Sequence, residues 1–309
     1  MSAKIAFVFP GQASQYVGMG RELYENYESA KNVFEEADKA LGISITSLCF
    51  EGPEERLKQT EITQPAILTV SIAAHRVVSE KGLNPLFAAG HSLGEYSALV
   101  AAGVIDFSEA VKLVKIRGRL MQEAVPEGKG AMAAILGMQK EDIEDCINSL
   151  TGLIVSVANY NSPKQTVISG KKEDVEKAVT LLKERGARKV VMLPVSAPFH
   201  CELMKPAEEK LIPLLDEIKF APSKFPVFAN VDATETNGGD EAREKLKLQV
   251  SRSVLWQQSV ENMRKKGVDT FIEIGPGKVL SGLIKQTIPN VEIFNIEDKK
   301  TLEKTFSSL

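Results

Sequence analysis

Short apolar runs alternate with long amphipathic stretches along the whole chain, and this alternation constrains the fold more than any other feature. A period-2 or continuous apolar run suits a strand and a 3.6-residue period suits a helix, so the chain reads as α/β. Residues 5–9 and 86–89 read as strands. Residues 21–41 read as one helix ending at Gly42. Thr63 is expected as N-cap and Pro65 in the first turn of a helix whose span 66–78 is apolar nearly all round, hence buried. Residues 93–102 read as a helix closed by Gly103. From Glu127 the texture changes. A strand (131–136), a helix (140–150), two strands (154–158, 165–169), a helix (172–185) and a strand (189–193) form β-α-β-β-α-β, the split-βαβ, ferredoxin-like pattern. The larger pattern resumes with a helix (202–218), strands (226–230, 270–274), a helix (277–287) and a last strand (291–295). The expected organisation is a discontinuous catalytic domain, residues 1–126 and 197–309, interrupted by a small domain at 127–196.

Composition excludes several classes. The 309 residues carry 38 Lys and Arg against 41 Asp and Glu, and a net charge of -3 leaves no basic excess for nucleic acid. No stretch approaches the ~18 apolar residues of a membrane span, and the first apolar run falls short of the roughly 7–15 of a secretory core. Cys49, Cys146 and Cys201 are odd in number, far apart and outside any CxxC, which suits reduced thiols in the cytoplasm. His75, His91 and His200 show no metal-ligand spacing, so no metal site is expected. Gly275-Pro276-Gly277-Lys278 fails both nucleotide fingerprints and reads as a strand-to-helix turn.

Gly90-His91-Ser92-Leu93-Gly94 is a GxSxG between an expected strand and an expected helix. The turn would present Ser92 at the carboxyl end of its strand, beside the unpaired N–H groups of a helix start where an oxyanion could form. The bland alternative is a glycine-rich turn. A serine nucleophile needs a base. His75 belongs to the buried helix, and the turn directs His91 away from Ser92. His200 follows Val195-Ser196-Ala197-Pro198-Phe199 in a loop after the small domain and is the best candidate.

Arg117 is misplaced for a surface residue. With residues 106–122 wound as a helix and Ala110 at zero, Arg117 falls at about 340°, inside the stripe of Leu113, Val114 and Met121. Lys112, Lys115 and Arg119 occupy the other face. A buried guanidinium needs an anion. The wheel leaves three readings open: an ion pair with Asp or Glu, a substrate carboxylate bound bidentately, or a side chain that snorkels to the helix edge.

Together these motifs carry a resemblance. Phe9-Pro10-Gly11-Gln12-Ala13-Ser14-Gln15, Gln64-Pro65-Ala66, Gly90 through Tyr96, Arg117-Gly118, Asn161-Ser162-Pro163 with Gln165, Val167-Ile168-Ser169-Gly170, Ser196 through His200 and Gly275-Pro276-Gly277 occur in that order. Over essentially its whole length the chain resembles the malonyl-CoA:acyl carrier protein transacylases of dissociated (type II) fatty acid synthesis.

The resemblance implies an α/β-hydrolase-like core with an inserted ferredoxin-like subdomain. It implies Ser92 as the nucleophile that carries malonyl, His200 as base and then acid, and a main-chain carbonyl near Gln249 in place of the triad carboxylate. The N–H groups of Gln12 and Leu93 would form the oxyanion hole. Arg117 would clamp the malonyl carboxylate, with Gln64, His91 and Gln249 lining the site. Phe199, beside His200, would narrow the pocket at the malonyl α-carbon. Malonyl-CoA is a substrate, no cofactor is implied, and an acidic acyl carrier protein would visit transiently. Basic candidates to receive it are Lys112, Lys115 and Arg119, Lys171-Lys172, or Arg185, Arg188 and Lys189. A cytoplasmic monomer is expected. Ala13 stands where the family usually has Gly, Cys201 where Ser is common and Ser253 where Pro is common. The alternatives are a serine esterase, a polyketide-synthase acyltransferase with another carrier, and a non-catalytic carrier-binding module.

Overall fold

The computed structural model describes residues 3–195 and 197–309. Met1, Ser2 and Ser196 lie outside the described residues, Ser196 being part of the quoted motif and the expected end of the small domain. Ten strands form two sheets: β1 (Ile5–Phe9), β2 (Phe87–Gly90), β3 (Gly130–Leu136), β4 (Val155–Ser162), β5 (Gln165–Lys171), β6 (Lys189–Met192), β7 (Pro222–Phe228), β8 (Glu235–Gly238), β9 (Thr270–Ile274) and β10 (Glu292–Ile296). The large sheet has the order β10-β9-β1-β2-β7-β8 and is parallel except for β8. Every residue of β1 and β9 is buried, as in the central strands of a parallel sheet covered by helices. The small sheet is antiparallel with the order β4-β5-β3-β6, the ferredoxin-like arrangement.

The helix Thr60–Glu80 is the centre of the large core and buries most of its circumference. Its N-cap is Gln59, four residues before the expected Thr63. Thr63 does not cap it; its hydroxyl donates to the carbonyls of Leu57 and Gln59, and Pro65 lies inside the helix. The expected helix 21–41 is two, Arg21–Asn26 and Glu28–Leu41, because Tyr27 adopts an extended backbone between them. Gly42 closes the second at φ 64°, the left-handed conformation a glycine tolerates best. The helix expected at 202–218 opens with a 3₁₀ turn, Glu202–Met204, and continues as Lys205–Glu217. Strand β8 was not foreseen, nor were the helices Ile45–Glu51, Glu54–Leu57, Gly239–Gln249, Trp256–Lys265 and Lys299–Ser308.

In a parallel sheet all carboxyl ends emerge on one side, where ligands bind. The loop after β1 (Pro10, Gly11, Gln12, Ala13), the turn after β2 (His91, Ser92) and the chain leaving β7 (Ala229, Asn230) therefore meet. The small sheet faces the same end through residues of β3, β4 and β5, leaving a cavity of about 250 Å³ between the two sheets.

Candidate active site

Ser92 sits at the first turn of the helix Leu93–Ala101 with φ 52° and ψ -105°. A non-glycine residue in that region is strained. The flanking glycines explain how the turn is possible. A Cβ on Gly90 would lie 1.9 Å from the Gly94 backbone, and one on Gly94 would lie 2.0 Å from the Phe9 carbonyl oxygen. Among the described residues four non-glycine residues have positive φ, and three of them, Ala13, Ser92 and His200, line the cavity.

His200 is 3% exposed. Its Nδ1 lies 3.0 Å from the Gln249 carbonyl oxygen and its Nε2 2.8 Å from Ser92 Oγ. A carbonyl only accepts, so Nδ1 carries the proton and Nε2 presents its lone pair to the serine hydroxyl. Burial pushes His200 down to about 3, helped by the charge of Arg117 and then by His91. The imidazole is thus neutral, the form a base requires. The backbone carbonyl of Gln249 occupies the place of the usual carboxylate.

Arg117 is 1% exposed on the helix Phe107–Glu123, so the helical wheel located it correctly. Gly118 lets that helix approach the start of Thr60–Glu80, since a Cβ there would lie 2.5 Å from the Thr60 carbonyl oxygen. The guanidinium donates to Gln64 Oε1 at 2.9 Å, Gln249 Oε1 at 2.9 Å and Ser92 Oγ at 3.1 Å, and lies 5.3 Å from the Tyr96 ring. Neither snorkelling nor a direct ion pair describes it: its hydrogen-bond acceptors are all neutral, and Nε has no partner. Glu95 acts on it through space. Burial lowers its proton affinity. A buried, incompletely satisfied guanidinium at a nucleophile is an anion site.

Of the other expected residues, Gln12, Leu93, Gln64, His91 and Phe199 line the cavity, whereas Gln249 is fully buried behind Arg117 and Ser92 and does not line it. Gln12 donates from Nε2 to Thr60 Oγ1 at 3.4 Å, and the loop's next residue, Ala13, has φ 82°. Leu93 opens its helix, so its N–H has no acceptor within that helix. Gln64 and Phe199 are buried, and Gln64 Nε2 lies 3.6 Å from Met121 Sδ. His91, expected to turn from Ser92 and, by the resemblance, to line the site, does both: it lines the cavity, its Nε2 donates to Asn161 Oδ1 at 2.9 Å and its ring packs on Trp256. His75 lies elsewhere, between Phe7, Phe9 and Ser79, as helix filler. Two residues of the basic candidates pair with their own neighbours: Arg119 with Glu123 and Lys171 with Glu173. Among the described residues no group of three His, Cys, Asp or Glu is placed to hold a metal ion.

Sequence reasoning missed Asn230 and Glu95. Asn230 Oδ1 accepts from the Ser92 N–H at 2.7 Å and its Nδ2 donates to the Gly90 carbonyl at 2.7 Å, which pins the strained turn. The available signal was a polar residue, Asn230, at the carboxyl end of the expected strand 226–230.

The sequence profile of the acyl transferase domain family matches residues 6–302. The malonyl CoA-acyl carrier protein transacylase of Bacillus subtilis (strain 168) is 48% identical over 309 residues, covering 99% of this chain and 98% of that one. A solved acyl carrier protein S-malonyltransferase from Vibrio cholerae superposes with a TM-score of 0.96 at 47% identity, covering 98% and 100%. A malonyl-transacylase solved with its type II polyketide acyl-carrier protein gives 0.97 at 45% identity, covering 99% and 100%. The chain belongs to the acyl transferase domain family, among the malonyl CoA-acyl carrier protein transacylases.

Proposed function

We propose that the chain transfers malonyl from malonyl-CoA to the phosphopantetheine thiol of an acyl carrier protein through an ester on Ser92, supplying fatty acid elongation. The observation that carries this is the meeting of a serine, a neutral histidine and a buried arginine within hydrogen-bond distance. Ser92 Oγ attacks the thioester carbonyl while His200 Nε2 takes its proton. The N–H groups of Gln12 and Leu93 receive the oxyanion. His200 then protonates the departing CoA thiolate. In the second half the carrier thiol gives its proton to His200 and attacks the ester, and Ser92 regains the proton.

Arg117 binds the free malonyl carboxylate, with Gln64 and Gln249 holding its guanidinium in place. An anion there offsets the positive charge that depresses His200, so the correct substrate raises the basicity of the base. His91 and Phe199 shape the pocket wall. This chemistry draws on no cofactor, since nucleophile, base and oxyanion donors all come from the chain. The division into 1–126 with 197–309 and 127–196 is supported by the two separate sheets. Three free, buried cysteines suit a cytoplasmic setting. A polyketide carrier is the second reading, favoured by the likeness to the transacylase solved with such a carrier. A hydrolase of uncharged esters would gain nothing from Arg117.

The test is intact-protein mass after mixing with malonyl-CoA. A single malonyl adduct that maps to Ser92 and vanishes in Ser92→Ala is expected. No adduct on the wild type would sink the reading.

A further inference from the structure

The acyl-transfer steps leave unused a buried carboxylate beside the nucleophile. Glu95 lies in the first turn of the helix that follows Ser92 and is 2% exposed. Its Oε2 accepts from Gln249 Nε2 at 2.8 Å and from the Asn230 backbone N–H at 3.0 Å. Burying a carboxylate is unfavourable unless donors meet it. Here both donors belong to residues that hold the reacting groups.

Gln249 touches the supports of all three. Its backbone carbonyl accepts from His200 Nδ1, its Oε1 accepts from Arg117, and its Nε2 also donates to the Ser92 carbonyl at 2.9 Å. Only one orientation of the side-chain amide does this. A flipped amide would turn its NH₂ toward the guanidinium and its oxygen toward the Ser92 carbonyl. The Arg117 guanidinium and the Ser92 carbonyl favour the working orientation, and Glu95 adds to it, because in its ionised form it accepts and cannot donate. Asn230 is held to the same carboxylate by its backbone N–H while its side chain grips Gly90 and Ser92. The strained Ser92 backbone is therefore held at its N–H by Asn230 and at its carbonyl by Gln249, and both holds converge on Glu95.

We infer that Glu95 is a positioning residue, which acts through Gln249 and Asn230 to keep Ser92, His200 and Arg117 in register for acyl transfer. The inference rests on the transfer reading above. In the usual triad a carboxylate touches the histidine. In this chain the carboxylate stands one residue further back, with Gln249 between. Burial raises the Glu95 carboxyl to about 7, while its two hydrogen bonds and the Arg117 charge pull the other way.

Steady-state transfer by Glu95→Gln, with malonyl-CoA and with acetyl-CoA, tests this. Glutamine keeps the shape but can donate toward Gln249, so the amide loses one of the three groups that fix its orientation. The kcat should fall about ten- to a hundred-fold with both acyl groups, the range for one hydrogen bond to a charged group. The KM for malonyl-CoA should stay near wild type, because Arg117 still faces the ligand. Combined with Gln249→Ala, the two losses should fail to multiply. Glu95→Asp keeps the charge but shortens the reach, and should lose kcat with a wild-type melt. Wild-type kinetics in Glu95→Gln, or losses that multiply, would overturn the inference. Loss of a cooperative melt in both variants would assign Glu95 to stability and overturn it equally. Failure of the wild type itself to take up malonyl would overturn the transfer reading instead.

Discussion

Replacing Arg117 with alanine should separate malonyl transfer from acyl transfer in general. Of the five guanidinium N–H groups, three are engaged by Gln64, Gln249 and Ser92. Nε is buried and unpaired. A malonyl carboxylate that displaces the Ser92 contact can take two charge-assisted bonds from one edge of the guanidinium, in a site where water does not compete. At about 1.5–3 kcal/mol each, their loss amounts to roughly 3–6 kcal/mol. That corresponds to a fall of about a hundred- to ten-thousand-fold in kcat/KM for malonyl-CoA. Acetyl-CoA has no carboxylate, so Arg117→Ala should lower its transfer only through the disturbed Gln64 and Gln249, by about ten-fold or less. Arg117→Lys should fall between, since it keeps the charge but not the fork. The assay is initial-rate transfer of each acyl group to a purified carrier protein. Equal losses for malonyl and acetyl would refute the clamp, leaving Arg117 a support for Ser92.

Three further outcomes are expected. Phe199→Ala should raise methylmalonyl relative to malonyl transfer by about 1–3 kcal/mol in competition, and an unchanged ratio would reduce Phe199 to packing. Ala13, at φ 82°, carries a left-handed strain of roughly 1–2 kcal/mol that glycine would relieve against an entropy loss of about 0.5–1. Ala13→Gly should therefore leave the denaturant midpoint unchanged or slightly raised, and a clear drop would contradict the strain. His200 binds its proton only near pH 3 when folded but near 6.5 when unfolded. Acid thus favours the unfolded chain, and the wild type loses stability as pH falls below 6.5. Relative to His200→Gln, that extra loss should be up to about 1.4 kcal/mol per pH unit between pH 6 and 4, and parallel stability curves would contradict it.

Much of this site was legible because its signals are local. GxSxG needs only a strand before and a helix after, and β2 with Leu93–Ala101 supplied them. Arg117 stood out because a helical wheel needs no tertiary knowledge. The Gly277 turn and the split-βαβ unit were read from punctuation and period. What was missed depends on contacts distant in sequence. Asn230 reaches Ser92 across 138 positions and Gln249 reaches Glu95 across 154, so no window of sequence contains either pair. Strand β8, Glu-Thr-Asn-Gly, lacks any apolar alternation and exists only because β7 offers it a free edge. The break at Tyr27 was hidden because Leu23, Ala30, Val33, Phe34 and Ala37 all bury one face across it. His91 hydrogen-bonds Asn161 on the small sheet, 70 positions away, a partner no local turn reveals.

The central claim is that Ser92 carries malonyl on its way to a carrier thiol. The most direct measurement isolates the radiolabelled malonyl-enzyme, free of CoA, and mixes it with carrier protein bearing phosphopantetheine. Label should pass to the carrier thiol far faster than it is lost to water, and Ser92→Ala should never acquire it. Release of free malonate at the same rate with and without the carrier would contradict the account and leave a hydrolase.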